Sequence, residues 1–407
     1  MADLAAAKER YAEAIVRSCL HVRAGDLLVV RAEPPHRELV VALAEAAYGA
    51  GARLVEPVWT DKRVIAARVR HAREEDLGAM PRWSALRDPA FLAETTASVR
   101  IAGETDAHAF DGLPPDRLAR ELSEQPAEYR RAMRLSMAGG KRATVACWPT
   151  PEWSAQVYPG APDGVERLLA DILSFCRLGS DDPPGTQGWD EHVARIGERA
   201  TALTAARLVR LELRAPGTAL DLRLAPGVRW LGGPRETTFG YPMTPNFPTE
   251  ENHTSPISTA TEGAFRCTRP LAFRGRLIDG IAGEFRNGRL VRLEAAGDDD
   301  RDFLAAALDI DAGGRRLGEV ALVDSSSRIG RTGRVYFNTL LDENATAHIA
   351  FGAAYGQTRP AETGRRGLNR SRIHLDLMIG SDELEATGIA ENGRRLPLIV
   401  DGAWQLP

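Results

Sequence analysis

At 407 residues, with 43% hydrophobic and 27% charged side chains, the chain has the make-up of a globular protein with enough material for two cores. A formal net charge of −4 argues against nucleic acid or an anionic membrane surface as partner, and no apolar run approaches the roughly 20 residues that span a bilayer. Four cysteines stand far apart with no C-x-x-C and no secreted-type framework, and three of them sit in apolar stretches that read as buried.

The opening MADLAAAKERYAEA lacks the basic-then-apolar pattern of a signal peptide, so the cytoplasm is the default expectation. Leu4, Tyr11, Ile15 and Cys19 follow helical spacing. Gly25 and Asp26 introduce Leu27–Val30, a wholly apolar run typical of a buried parallel strand. An alanine-rich helix over Arg37–Tyr48 and a strand over Leu54–Val58 complete a βαβ unit. Its first turn, RAEPPHREL, has no G-x-G-x-x-G, which excludes the usual dinucleotide fingerprint. Strands are expected at Val99–Ala102 and Thr144–Trp148, with helical material between Pro115 and Ala138 and a turn at Gly139-Gly140-Lys141.

Asp181–Gly188, DDPPGTQG, reads as a linker and divides the chain into 1–188 and 189–407. A helix with Val193, Ile196, Ala200 and Leu203 inward follows it. The texture then becomes antiparallel: Leu208–Leu213 and Leu220–Leu224 flank a turn, and Asn287-Gly288 marks a hairpin. The expected fold class is an α/β N-terminal domain with a parallel sheet plus an α+β C-terminal domain with antiparallel strands that carries a metal site.

The metal reading starts from two histidines among apolar residues. Strict alternation in Ile373–Ile379 turns His374, Asp376 and Met378 to one face of a strand, so an imidazole and a carboxylate two residues apart are placed to hold one ion. Asn344–Tyr355 reads as a helix packed with small residues, with His348 and Tyr355 two turns apart on one face. Glu319 lies inside the apolar run Leu317–Val323, where a carboxylate is costly to bury unless paired or metal-bound. Asn246–Glu251, NFPTEE, offers two adjacent glutamates that spacing alone would leave on the surface. Two divalent ions sharing a carboxylate would lower the pKa of water, a remaining carboxylate would serve as base, and a phenol such as Tyr355 would donate to the developing oxyanion.

On these residues the sequence resembles the aminopeptidase T/aminopeptidase S family of metallo-aminopeptidases. The matching segments are NFPTEE, RRLGEVALV, TGRVYFNTLLDENATAHIAFGAAY and IHLDLMIGSDELEATGI, and the N-terminal half is similar in texture from YAEAIVRSCLHVRAGDLLVV to RVRHAREED. The resemblance implies a two-domain fold, a homodimer, short peptide substrates and a pair of divalent metals, with zinc, cobalt, manganese and magnesium all compatible with mixed nitrogen and oxygen donors. Position by position it implies metal ligands at Glu250, Glu319, His348, His374 and Asp376, with Glu251 and Tyr355 catalytic; which of the two glutamates is ligand and which is base stays open. After Glu251 the run Asn252–Ala260 departs from the family pattern, which weakens any inference about substrate preference, and His253 within it reads as a surface residue in preference to a new substrate contact.

Two rivals share the scaffold. His348, His374 and Asp376 could form the facial triad of a mononuclear non-haem iron ring-cleaving dioxygenase, since a dihydroxypyridine dioxygenase is similar in fold to this family. Glu250, Glu319 and Tyr355 speak against it, because one iron would not require them. A non-catalytic peptide-binding protein would be expected to lose ligands, and here the set is complete.

Overall fold

A computed structural model describes residues 2–79, 93–106, 108–123, 140–274, 276–359, 364 and 366–406. The chain divides into two compact units, one formed by Met1–Gly188 with Glu236–Phe247, the other by Trp189–Arg235 with Pro248–Pro407.

The first unit is built on a five-stranded sheet in the order Leu54–Trp59, Leu27–Ala32, Ala97–Ala102, Arg142–Cys147, Asn246–Phe247, with every pairing parallel. The first four strands are the short apolar runs expected from sequence, and helix Arg37–Gly49 is the crossover of the first βαβ unit. The fifth strand, two residues long, comes from the excursion Glu236–Phe247, far along the chain. Helix Pro115–Ser123 accounts for the start of the helical stretch predicted after Pro115; 124–138 and Gly139 lie outside the described residues. Cys19, Cys147 and Cys176 are buried thiols outside any disulfide.

The second unit opens with helix Gln187–Ala205, which buries Val193, Ile196, Ala200 and Leu203. An eight-stranded antiparallel sheet follows, ordered Arg289–Glu294, Ala282–Arg286, Thr261–Arg266, Thr218–Arg223, Leu208–Ala215, Glu385–Ala390, Arg395–Val400, Ala403–Trp404. Asn287 and Gly288 both have positive φ, as the tight two-residue hairpin between its first two strands requires. A second sheet has four antiparallel strands: Asn252–Thr254, Leu317–Leu322, His348–Gly352 and His374–Met378. Its inner side joins one apolar core with the larger sheet, where Phe351 lies 5.4 Å from Phe285 and 6.1 Å from Phe265 between ring centroids. That core fixes the smaller sheet, whose other face carries Glu319, His348, His374 and Asp376.

One expected element is overturned. Asn344–Tyr355 is not a helix: Asn344 ends the short helix Thr339–Glu343, and His348–Gly352 is a strand paired on both sides. Alanine-rich composition favours a helix only where tertiary pairing does not decide. Here Gly352, at φ +97°, adopts a backbone that helices exclude, and a Cβ on it would stand 2.0 Å from the Ile373 carbonyl. His348 and Tyr355 therefore do not share a helix face; Tyr355 begins the turn beyond the strand.

Candidate metal centre

Register assembles the centre. Glu319 lies opposite Ala350, which lies opposite Asp376; His253 and His348 both lie opposite Ala321; Gly352 lies opposite His374. Directly opposed residues share a face and neighbours along a strand alternate. His253, Glu319, His348, His374 and Asp376 thus project from one side, while Val320, Ile349, Phe351, Leu375 and Leu377 enter the core. Ala321 and Ala350 form the floor between them, small enough to leave the polar groups room. The pairing shifts register between Leu317 and Glu319, a bulge of the kind that re-aims a side chain beside a site. Gly318 sits in that bulge, where a Cβ would come within 2.4 Å of the Ala353 carbonyl.

Glu251 enters from the segment ahead of the first strand. Asn344 holds that segment: its Oδ1 accepts the Glu250 amide at 2.7 Å, its Nδ2 donates to the Leu340 carbonyl at 2.9 Å, and its carbonyl accepts from Ser327 at 2.8 Å. The two glutamates then part. Glu251 Oε2 is 3.3 Å from His348 Nε2 and its Oε1 is 3.0 Å from His253 Nδ1, whereas Glu250 Oε2 is 3.4 Å from His192 Nε2. Glu251 thus lies with His348 and His253, and Glu250 faces His192, a difference that bears on the choice left open between the two.

Two groups of donors able to hold a cation result: Glu251, Glu319 and His348, and Glu319, His374 and Asp376, with the ligand atoms of each within 4.8 Å of one another. His374 Nε2 is 3.1 Å from Glu319 and 3.4 Å from Asp376. Glu319, 2% exposed, belongs to both groups.

The donor chemistry fits metal. His348 Nδ1 is 3.2 Å from the Thr346 carbonyl and His374 Nδ1 is 2.8 Å from the Ala353 carbonyl. In the tautomer that donates these bonds, each Nε2 turns its lone pair on carboxylate oxygens, a repulsive arrangement unless a proton or a cation lies between. Separations of 3.1–3.4 Å suit donors that each stand about 2.0–2.2 Å from a shared ion. Protons fill the same role when no cation does. Burial opposes charge on His348, but the hydrogen bond and charge of Glu251, with Asp376 and Glu319, push its pKa up to about 10. His374 is raised well above its ordinary value against the cost of burial by Asp376 and Glu319. Burial works to raise Glu251 and Asp376, yet the facing histidines hold both below the usual carboxylate range.

Four residues around these groups matter, and three of them, His253, Glu343 and Arg235, escaped the sequence reading. His253 is not on the surface: it is 7% exposed, and its Nδ1 lies between Glu251 and Glu319 at 3.0 and 3.6 Å. A polar residue in a three-residue strand gives too short a period to reveal that. Tyr355 was expected near the histidines and is: its ring stands 5.2 Å from both His253 and His374, and burial followed by the Glu319 and Asp376 charges raises the phenol well above its ordinary pKa. Glu343, last residue of its short helix, carries a carboxyl that burial and the charges of Asp376 and Glu251 raise well above the usual range. With Asp342, Asp376, Met378, Leu271 and Thr339 it lines a small pocket. The adjacent carboxylates Asp342 and Glu343, six and five residues ahead of His348, were the available signal. Arg235, the fourth, lies in the field of Tyr355, Glu251 and Glu319.

No helix among the described residues is long and apolar enough to cross a membrane. The chain is 36% identical over 403 residues to aminopeptidase T of Thermus thermophilus, covering 97% of this chain and 98% of that protein. The solved structure of wild-type AmpT from Thermus thermophilus superposes with a TM-score of 0.90 at 35% identity over 98% of this chain and 99% of that one. The 2,5-dihydroxypyridine dioxygenase of Pseudomonas putida shares the fold at a TM-score of 0.52 and 13% identity, over 98% of this chain and 97% of that one. The family described as thermophilic metalloprotease (M29) matches residues 5–404, and to that family of hydrolases the chain belongs.

Proposed function

We propose that the chain is a metal-dependent aminopeptidase that removes the N-terminal residue of short peptides with two divalent cations, one in each donor group. The observation that carries this reading is the double membership of Glu319: its carboxylate is the one element common to Glu251–Glu319–His348 and Glu319–His374–Asp376. A mononuclear triad needs neither Glu251 nor a carboxylate so shared. Bound in such a site, a pair of divalent ions supplies an acidified water and a polarised scissile carbonyl.

The chain's own residues set the rest. Glu251, held below the usual carboxylate range between two histidines, is suited to be a ligand, which resolves the choice between the two glutamates in this reading. Glu343, whose strongest charged neighbour is Asp376, adds an oxygen donor on that side. Glu250 is a support, tied to His192 and, through its amide, to Asn344. Tyr355 keeps its phenolic proton, so it acts as a donor to a carbonyl oxygen. The nitrogen and oxygen donors admit zinc, cobalt, manganese or magnesium.

The test is hydrolysis of short unblocked peptides against the same peptides N-acetylated. Chelation should abolish release of free amino acids and added divalent metal should restore it, with the acetylated peptides spared. Full activity in chelator with no metal by elemental analysis would remove the site from the reaction. Iron-dependent oxygen uptake on a dihydroxylated aromatic, without peptide cleavage, would favour the dioxygenase instead.

The proposal extends to a homodimer, on the family resemblance, with the cytoplasm as its default compartment. Light scattering at micromolar concentration should give about twice the chain mass of 44.2 kDa, and the monomer mass would contradict it.

A further inference from the structure

Arg235 is the group the proposed reaction leaves unexplained. One arm of its guanidinium is held: Nη1 donates to Gln357 Oε1 at 2.8 Å, and Gln357 belongs to the turn Gly356–Thr358 that directly follows Tyr355. Its Nε is shielded from solvent and has no hydrogen-bond partner. Among the described residues Arg235 forms no ion pair, although arginine stays charged in proteins and a shielded charge normally finds a mate. Burial lowers its pKa, and the groups that support its charge are Tyr355, Glu251 and Glu319.

Charge balance makes the absence of a mate informative. Glu251, Glu319, Asp376 and Glu343 are four carboxylates, which two divalent cations would neutralise. The positive charge of Arg235 is then left over, with its Nε unpartnered and its Nη1 held by the turn that follows Tyr355. A shielded cationic donor without a mate, beside a hydrolytic centre and next to a protonated phenol, calls for an anion that exists only during reaction.

Resting on the aminopeptidase reading, we propose that Arg235 is a catalytic residue that donates, together with the Tyr355 hydroxyl, to the carbonyl oxygen of the scissile bond as that oxygen becomes an oxyanion. In the step concerned, a water oxygen forms a bond to the carbonyl carbon and the π pair moves onto the carbonyl oxygen, while the water's proton passes to a carboxylate of the site. The pair then returns, the C–N bond breaks, and the leaving nitrogen takes the proton. Arg235 and Tyr355 stabilise the charge between these two events and are not themselves changed.

The experiment compares wild type, Arg235→Gln and Arg235→Lys, each loaded with metal, on one set of peptides with free or amidated C-termini. Three readouts are taken: kcat and KM, bound metal per chain, and affinity for a phosphinic dipeptide analogue whose tetrahedral anion stands in for the oxyanion. For Arg235→Gln, kcat should fall about 10²–10³-fold with KM changed only a few-fold and metal content kept. Across the variants the loss in kcat/KM should track the loss in phosphinate affinity, with lysine intermediate, and amidation of the substrate should not alter the factor. Should the glutamine variant not fold, the lysine variant carries the same proportionality test. A loss confined to KM and to peptides with a free C-terminal carboxylate would make Arg235 a carboxylate clamp and overturn the proposal. Lost metal, or kcat unchanged, would overturn it as well. Failure of the wild type to hydrolyse any peptide would instead sink the aminopeptidase reading itself.

Discussion

Glu319→Gln is expected to lower kcat/KM about a thousandfold or more while the protein stays folded, a loss on the order of 4 kcal/mol of transition-state stabilisation. Glutamine keeps the shape of the side chain and removes the charge, so the strand Leu317–Leu322 and the core behind it should be preserved. The centre would change more than at any other single position, because Glu319 faces His253 at 3.6 Å and His374 at 3.1 Å and belongs to both donor groups. Without its charge the two groups no longer share an anion, and retention of a second cation should fail first. Circular dichroism and thermal melting would report the fold, elemental analysis the metal, and amino acid release the rate. A folded variant that holds two metals and hydrolyses at the wild-type rate would refute the mechanism even within the right family.

Glu251→Gln and Glu250→Gln should separate by one to two orders of magnitude in rate, although the residues are neighbours. Glu251 stands 3.3 Å from His348 and 3.0 Å from His253, so on the proposed reading its loss removes a ligand and should lower kcat/KM about 10²–10³-fold. The carboxylate of Glu250 meets His192, whose Nε2 also lies 2.8 Å from the Thr249 carbonyl, and the Glu250 amide stays on Asn344 whatever its side chain. Its substitution should cost about tenfold or less. Equal losses in the two variants, or a larger loss at Glu250, would return the ligand role to Glu250.

What was legible in the sequence follows from what period and burial impose. Buried parallel strands leave short apolar runs between glycines, so four of the five strands in the first unit could be read directly. The fifth, Asn246–Phe247, is too short for any period and is set by pairing with a strand about a hundred residues earlier. His374 and Asp376 could be placed because alternation from Ile373 to Ile379 is unbroken. His348 was found as a residue but on the wrong element, since Ala347, Ala350, Ala353 and Ala354 mimic a helix while pairing on both sides makes a strand. Glu319 stood out for the cost of burying a lone carboxylate. The choice between Glu250 and Glu251 rests on which way one extended segment faces, which no local pattern records. His253, Glu343 and Arg235 share a different obscurity: each is an ordinary polar residue until the sheet and its neighbouring turns converge on Glu319.

The most direct test of the account is the number of metal ions bound per chain by catalytically competent protein, measured by elemental analysis after exhaustive dialysis against metal-free buffer at neutral pH. Two divalent ions per chain are predicted, with peptide hydrolysis rising in step with the second equivalent as metal is returned to the stripped protein. A single ion per chain at full activity would contradict the shared role of Glu319, and with it the binuclear centre.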